Sequence, residues 1–280
     1  MLDFNITANL NELGKILIEK ISHAVGVLYD PWGIKRGKRD FIDSMNRDII
    51  NDDTLSWTEK AAIINESILL LRKNQNRKNI ITNAIPLLND DADPNAIDDS
   101  WILSFLDKSG LVSEEQLQII WSRVLAGEAN RSHTVSKRLL HNLSIMSQKD
   151  AFNFVNLSKF CFYDKVVDLV HPLIFIKRYP KLYADWNITT QILNELEEFF
   201  LIETNYDDAF IFKNSKKFIY TNCYIEVQGN RIDAGNVRFT EDGQTLFRMI
   251  DKLNDNNILE IIVRIWKMLN YRVEINKFNL

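Results

Sequence analysis

The stretch QIIWSRVLAGEANRSHTVSKRLL, residues 118–140, decides the predicted fold. Ser113 to Gln116, just before it, has the spacing of a capping box. Apolar residues then recur every three or four positions, as on one buried face of an α-helix: Leu117, Ile120, Trp121, Val124 and Leu125. Gly127 stands where a left-handed helix cap favours glycine. A second apolar stripe follows at Val135, Leu139, Leu143 and Met146. The pattern predicts a helix hairpin connected by EANRSHT.

The polar residues after the first stripe match no catalytic pattern. Ser136 and His133 are close in sequence, but nucleophilic catalysis also needs a group that orients the base, and the GxSxG elbow is absent. Glu128 would act as a general acid or base only beside a partner carboxylate or in a cleft. We therefore expect Glu128 to cap a helix or to pair with Arg123 or Arg131.

The division between an apolar stripe and a polar end also predicts how the segment is used. We expect Trp121 and Leu125 to be core residues, and Gly127–Ser136 to be a structured connection. Its charged side chains would then be exposed to a partner or to a second copy of the chain. The predicted partner-binding residues of this segment are Arg123, Glu128, Arg131 and Arg138.

Composition favours a helical protein with a large core. The chain has 280 residues, of which 46% are hydrophobic, and only 9 Gly and 5 Pro, which favours long helices over a turn-rich β fold. The net charge of -4 gives no overall attraction to nucleic acid or anionic lipid. Cys161 and Cys223 stand apart without zinc-site spacing, which is typical of a reducing compartment. We expect a cytoplasmic protein.

No targeting, membrane or cofactor signature is recognisable. Residues 1–20 lack the basic region and apolar run of a secretory leader. ILEIIVRIWKML, residues 258–269, is too short for a bilayer, which takes about 20 apolar residues, and we expect it to pack as an amphipathic helix. No pair of His has metal-ligand spacing, so neither a metal nor another cofactor is expected.

A basic segment, GIKRGKR at residues 33–39, is one residue short of a phosphate loop and has no hydroxyl at its end. It is interpreted as a solvated helix start, or as a contact for phosphate, nucleic acid or a protein partner. Its candidate contact residues are Lys35, Arg36, Lys38 and Arg39.

The C-terminal part has a different pattern. A short helix is predicted from Thr189, then two strands joined near Asn214, and then a helix with Thr240 as its N-cap. This is a winged-helix-like order. We therefore predict a mainly α protein, in which an N-terminal helical bundle at 1–180 precedes a small α+β winged-helix-like module with a terminal helix at 181–280.

Several segments resemble the bacterial domain-of-unknown-function family 2806. The N-terminal YDPWGIKR is similar to the start of that family, and FTEDGQTLF is similar to its closing segment. The matching segments are YDPWGIKR (29–36), QNRKNII (75–81), DDSWILSFL (98–106), VSEEQLQIIWSRVLAGE (112–128), SKRLLHNLS (136–144) and FTEDGQTLF (239–247).

The resemblance covers most of the chain, and residues 118–128 are its most specific part. The chain departs from the family at Ser132-His133, where a Pro-Gly turn is common, and in a long helix after Gly243. The family name implies no activity. LSIMSQKDA, residues 143–151, more loosely resembles the abortive-infection alpha group, which implies phage defence by gene association.

Three functional hypotheses follow. The first is a non-enzymatic helical interaction protein of bacterial phage defence or stress response, which binds a protein partner or forms a homo-oligomer. The second is a nucleic-acid-binding regulator that uses the winged-helix-like module, although the predicted recognition segment QILNELEEFF is acidic. Its candidate contacts are Lys213, Lys216 and Lys217. The third is an unrecognised nuclease or other hydrolase built around Glu128.

Overall fold

The computed structural model describes residues 11–25 and 46–278. The chain divides into two compact units, residues 1–144 and residues 145–280. Among the described residues, no helix is long and apolar enough to cross a membrane. The basic residues Lys35, Arg36, Lys38 and Arg39 lie outside the described residues.

The first unit is built from helices. Their bounds are α1 Glu12–Val25, α2 Trp57–Ala84, α3 Asp99–Ser109, α4 Glu115–Asn130 and α5 Lys137–Ile145, whose last residue falls in the second unit. Most of the apolar stripe of α4 is buried as predicted, with Trp121 0% and Leu125 1% exposed, while Ile120 is half-buried. Phe105 packs between two tryptophans, with ring centroids 5.3 Å from Trp101 and 5.4 Å from Trp121. The predicted core of this segment is therefore confirmed.

Both predicted caps of α4 are wrong. The N-cap is Glu114, whose side chain makes no capping bond, so the Ser113 capping box does not form. Gly127 lies inside the helix, because the Arg131 amide still bonds to the Gly127 carbonyl and the helix continues to Asn130. By contrast, Asp98 caps α3, since its carboxylate accepts the Trp101 amide at 2.9 Å.

The second unit combines helices with short antiparallel strands. The helices are α6 Gln148–Leu157, α7 Pro180–Tyr183, α8 Thr190–Glu198, α9 Glu241–Met249 and α10 Asn256–Met268. The strands are β1 Cys161–Asp164, β2 Leu169–Pro172, β3 Ile202–Thr204, β4 Ile211–Lys213, β5 Lys216–Tyr220, β6 Cys223–Gln228, β7 Arg231–Asp233, β8 Val237–Phe239 and β9 Arg272–Lys277. Ser147, Thr189 and Thr240 cap α6, α8 and α9 through their hydroxyls.

Five of these strands form one sheet in the order β2-β1-β5-β6-β9, while β3 pairs with β8 and β4 with β7. The domain boundary expected at residue 180 falls inside the second unit, because β1 and β2 join this sheet through β5. The mainly α character of the chain is confirmed. The expected terminal helix, α10, is followed by strand β9, so it does not end the module.

Two strands are joined near Asn214 as predicted, but they do not form a hairpin with each other. Asn214 has a φ of 66° and turns the chain from β4 into β5, but these two strands do not pair with each other. The tight hairpin joins β5 to β6 at Thr221 and Asn222, where Thr221 has a φ of 51°. The segment therefore contributes three strands to two different sheets.

The FTEDGQ segment anchors α9 against its neighbours. Gly243 approaches the chain so closely that a Cβ there would lie 1.8 Å from the Leu201 carbonyl oxygen. The next residue, Gln244, accepts a hydrogen bond from the Val170 amide at 3.0 Å and donates one to the Val170 carbonyl at 2.6 Å. A side chain thus satisfies backbone groups of β2, an edge strand of the five-stranded sheet.

We expect Trp121→Ala to unfold the protein or make it insoluble, because truncating a buried Trp costs about 3–5 kcal/mol. Arg138→Ala, at an exposed position, is expected to change the unfolding free energy by no more than about 0.5 kcal/mol. Thermal melts of the two variants test this. A Trp121→Ala protein that melts like the wild type would show that this stripe is not a core.

Candidate functional site

Glu128, the strongest catalytic candidate in the sequence, is 2% exposed, although it was expected on the surface. Its carboxylate accepts hydrogen bonds from three successive backbone amides: those of His133 at 2.6 Å, Thr134 at 3.1 Å and Val135 at 2.8 Å. His133 has a φ of 62°, the left-handed region that Gly prefers, which agrees with the Pro-Gly turn implied here by the family resemblance. Glu128 therefore holds the connection between α4 and α5 in place.

The arginines of the same segment are spread around this connection. Arg131 and Arg138 are exposed, and Arg123 is half-buried. They remain predicted partner contacts. Glu128, buried and bound to its own chain, is unavailable to a partner, and its oxygens are occupied by backbone donors rather than by a second carboxylate.

The QNRKN motif is also structural. The Arg77 guanidinium donates to the Leu106 carbonyl at 2.7 Å, and the Asn76 amide donates to the Gly110 carbonyl at 2.9 Å. Gln118, on α4, donates to the Val112 carbonyl at 2.8 Å. These side chains bond to carbonyl groups at and beyond the C-terminal end of α3, of which that of Leu106 also accepts the Gly110 amide.

The lysines proposed for nucleic-acid contact are largely neutralised. Lys216 lies 2.8 Å from the buried carboxylate of Asp164, and Lys217 lies 3.0 Å from Glu226. Lys213 is exposed, and its cross-strand neighbour is Arg231. Of the three candidate lysines, Lys213 alone makes no ion pair with a described carboxylate.

No titratable cluster with an evident chemical role occurs in the described ranges, and none of their His, Cys, Asp and Glu groups could hold a metal ion. His171 packs edge-on against Phe212 and Phe218, with ring centroids 4.8 and 5.9 Å away. Burial lowers the pKa of His171 to about 4, so it is a neutral packing residue at physiological pH.

An open groove runs between α10 and β9, with a volume of about 850 Å³. We call it the α10–β9 groove. Buried Leu259, Val263 and Cys223 contribute to its lining, and Met268 and Ile275 are 57% and 42% exposed. Exposed apolar side chains in a concave surface are typical of binding sites, and Met adapts well to varied partners. The groove is therefore the candidate functional site.

The charged rim of this groove is predominantly basic. Arg264, Lys267 and Lys277 line it together with one acid, Glu260. None of the three cations makes an ion pair with a described residue, in contrast to Lys216 and Lys217. Unpaired cations beside exposed apolar side chains favour a partner that is both acidic and apolar.

A second groove, of about 720 Å³, lies on the other side of α10 and shares Arg264 and Met268 with the first. Its lining is largely apolar and includes Leu182, Ile261 and Ile265. The two grooves flank one exposed ridge of α10, so they form a continuous surface.

The backbone of β9 is oriented by its pairing with β6. Phe278 donates its amide to the Asn222 carbonyl at 3.0 Å, so even-numbered residues of β9 bond to β6. Because hydrogen-bonded positions alternate along an antiparallel strand, the amides and carbonyls of Val273, Ile275 and Lys277 point away from β6. No strand of the described chain pairs with that outer edge.

Two local patterns in the sequence pointed to the elements of this site, although overall composition did not. The segment 258–269 packs as the predicted amphipathic helix, with Ile258, Ile262 and Trp266 buried. Glu260, Arg264 and Lys267 recur on its opposite face. The strand β9 itself was not predicted, and its alternation of Val273 and Ile275 with polar residues was its only local signal.

We expect Glu128→Gln to lower the unfolding free energy by about 2 kcal/mol, because hydrogen bonds to a charged acceptor are worth about 1.5–3 kcal/mol and the new amide group would face donors. Denaturant unfolding measures the change. The matched control is Glu114→Gln, an exposed N-cap residue without a capping bond. Equal stability of the two variants would contradict the assigned role.

The comparisons with known proteins give one family match. No curated protein and no solved structure matches the chain. The similarity to the abortive-infection alpha group stays a prediction. A family model described as "Protein of unknown function (DUF2806)" matches residues 65–263, more than half of the chain, so this protein belongs to the DUF2806 family.

Proposed function

We propose that this protein is a non-enzymatic interaction protein that binds an acidic polypeptide in the α10–β9 groove. The observation that carries the proposal is the combination of three cations without ion-pair partners among described residues and two exposed apolar side chains, Met268 and Ile275. The net charge of the chain is -4, so a basic surface of this kind runs against its overall charge. Local charge complementarity of this type directs partner choice and association.

A polypeptide suits the groove better than a nucleic acid does. None of the described lining residues is aromatic, whereas single-stranded nucleic acids are commonly held by stacking on aromatic rings. In addition, α8, the helix in the recognition position of a winged-helix-like order, carries Glu195, Glu197 and Glu198. We keep the winged-helix-like order α8-β3-β8-α9 as a proposal for the architecture of this unit, and none of these four elements lines the groove.

A second copy of the chain is a poorer occupant. A two-fold interface sets the same patch against itself, so the cations Arg264, Lys267 and Lys277 would face one another. The hydrolase alternative also has little support, because the oxygens of Glu128 are engaged by backbone amides. Exposed Leu69 and Leu70 on α2 give the first unit apolar surface of its own, which agrees with an interaction role.

The proposed setting is bacterial phage defence or a related stress response. Its support is the resemblance of residues 143–151 to the abortive-infection alpha group. In that setting the acidic polypeptide would be a partner protein of the defence response, and its binding would be the event to which the protein responds.

The test is a selection from an mRNA-displayed library of random dodecapeptides on the wild-type protein. We expect the enriched peptides to be acidic and apolar. We also expect the double reversal Arg264→Glu/Lys267→Glu to weaken binding of a fluorescein-labelled enriched peptide by about tenfold or more, because attraction becomes repulsion. Fluorescence anisotropy measures the dissociation constants.

The matched control is Lys213→Glu/Arg231→Glu, which changes the same residue types and the same total charge on a different pair of strands, outside the lining of the groove. This control is expected to bind within about twofold of the wild type. Equal losses in the two double variants would show a net-charge effect and overturn the assignment of the site. Failure to enrich any peptide, or enrichment of basic peptides, would overturn the proposed function.

A further inference from the structure

The α10–β9 groove is bounded by an edge strand whose outward backbone groups are free of strand partners among described residues. The other edge of the sheet differs, because the Gln244 side chain occupies the backbone groups of Val170 in β2. An edge of this kind is a template for another strand. The sheet therefore has one edge that is satisfied by its own chain and one that is not.

The same residues of β9 present both kinds of binding group. Ile275 and Lys277 direct their side chains into the groove, while Asn276 lies with Lys217 and Tyr224 on the opposite face of the sheet. The register places the amides and carbonyls of Val273, Ile275 and Lys277 on the outer edge. A strand added there would satisfy backbone groups at the edge and place every second side chain in the groove.

We infer that the occupant of the groove is an extended polypeptide segment that adds to β9 as a sixth strand of the sheet. This inference rests on the proposed function and specifies its partner. Main-chain hydrogen bonds to Val273, Ile275 and Lys277 supply affinity that does not depend on the partner's side chains, and the groove selects alternate side chains. Those at positions i, i+2 and i+4 of the partner are apolar, to contact Met268 and Ile275, or acidic, to meet the cations.

Charge on β9 also disfavours edge-to-edge pairing of two copies of the chain. Arg272 and Glu274 form an ion pair at 2.9 Å on the strand, and charged edge residues oppose uncontrolled pairing. The Lys277 side chain adds a further cation to the groove side. An acidic segment is not repelled by these cations, whereas a second copy of β9 carries the same cations and is repelled.

Val273→Pro tests the inference, because proline removes the amide hydrogen of residue 273, which points away from β6. The hydrogen bonds from even-numbered residues of β9 to β6 stay in place, and edge strands tolerate proline at such positions. Val273→Ala is the matched control, since it also loses the side chain but keeps the amide. With an enriched dodecapeptide as the probe, we expect the proline variant to bind at least about tenfold more weakly than the alanine variant, at similar melting temperatures.

A second measurement does not depend on how the proline variant folds. The probe peptide is N-methylated at alternate residues in two registers, and each form is titrated against the wild-type protein. Strand addition predicts that one register abolishes binding and the other leaves it within about threefold, because only alternate amides face β9. Equal tolerance of both registers, or equal loss in both, overturns the inference.

The two proposals fail in different ways. If Arg264→Glu/Lys267→Glu weakens peptide binding but Val273→Pro and both methylated registers bind normally, strand addition is wrong and docking in the groove stands. If no peptide binds the wild type, both are wrong. If light scattering shows a wild-type dimer that Val273→Pro dissociates, the occupant is a second copy, and the acidic partner is wrong.

Discussion

The pairing of β9 with β6 is the constraint on which the candidate site depends. The Phe278–Asn222 hydrogen bond and the register Ile225↔Ile275 decide which backbone groups of β9 face inwards and which face outwards. The turn before β9 supports this register, because Asn270 has a φ of 63° and the Tyr271 amide bonds to the Trp266 carbonyl at 3.0 Å. A shift by one residue would exchange the groove side chains for those of the opposite face.

The helix α10 makes the groove possible by covering only part of this sheet face. Its buried stripe, which includes Ile258, Ile262 and Trp266, packs inwards, and the Trp266 indole donates to the Asp233 carbonyl at 2.9 Å. The opposite stripe carries Arg264 and Lys267 beside the exposed Met268. Burial of one stripe therefore fixes the helix, and the remaining stripe is available for recognition.

Local sequence patterns predicted much of the fold and little of the site. The stripe around Trp121 and the hydroxyl cap at Thr240 were predictable, because a helix face and an N-cap depend on neighbours in sequence. Glu128 was misplaced on the surface because its partners are amides of a connection whose conformation only the folded chain defines. Gly127 was predicted as a cap, but the helix continues past it to Asn130, where the connection to α5 begins.

The outer edge of β9 was not predicted from the sequence, because strand pairing joins residues that are far apart in the chain. β9 contacts β6, which lies some fifty residues earlier, and no spacing rule links Ile275 to Ile225. The alternation in RVEINK is short, and it follows directly after a strong helical pattern. The sequence also does not show that Arg264, Lys267 and Lys277 lack ion pairs, because ion pairing depends on which acidic side chains lie nearby in the folded chain.

Amide hydrogen exchange of β9, measured by nuclear magnetic resonance, tests the central claim most directly. In the free protein, the amides of Val273, Ile275 and Lys277 should exchange much faster than those of Glu274 and Asn276, which bond to β6. Addition of an enriched dodecapeptide should slow the three odd-numbered amides by at least about tenfold and leave the even-numbered ones nearly unchanged. Odd-numbered amides that are already protected in the free protein, or that exchange at the same rate with saturating peptide, would contradict the account.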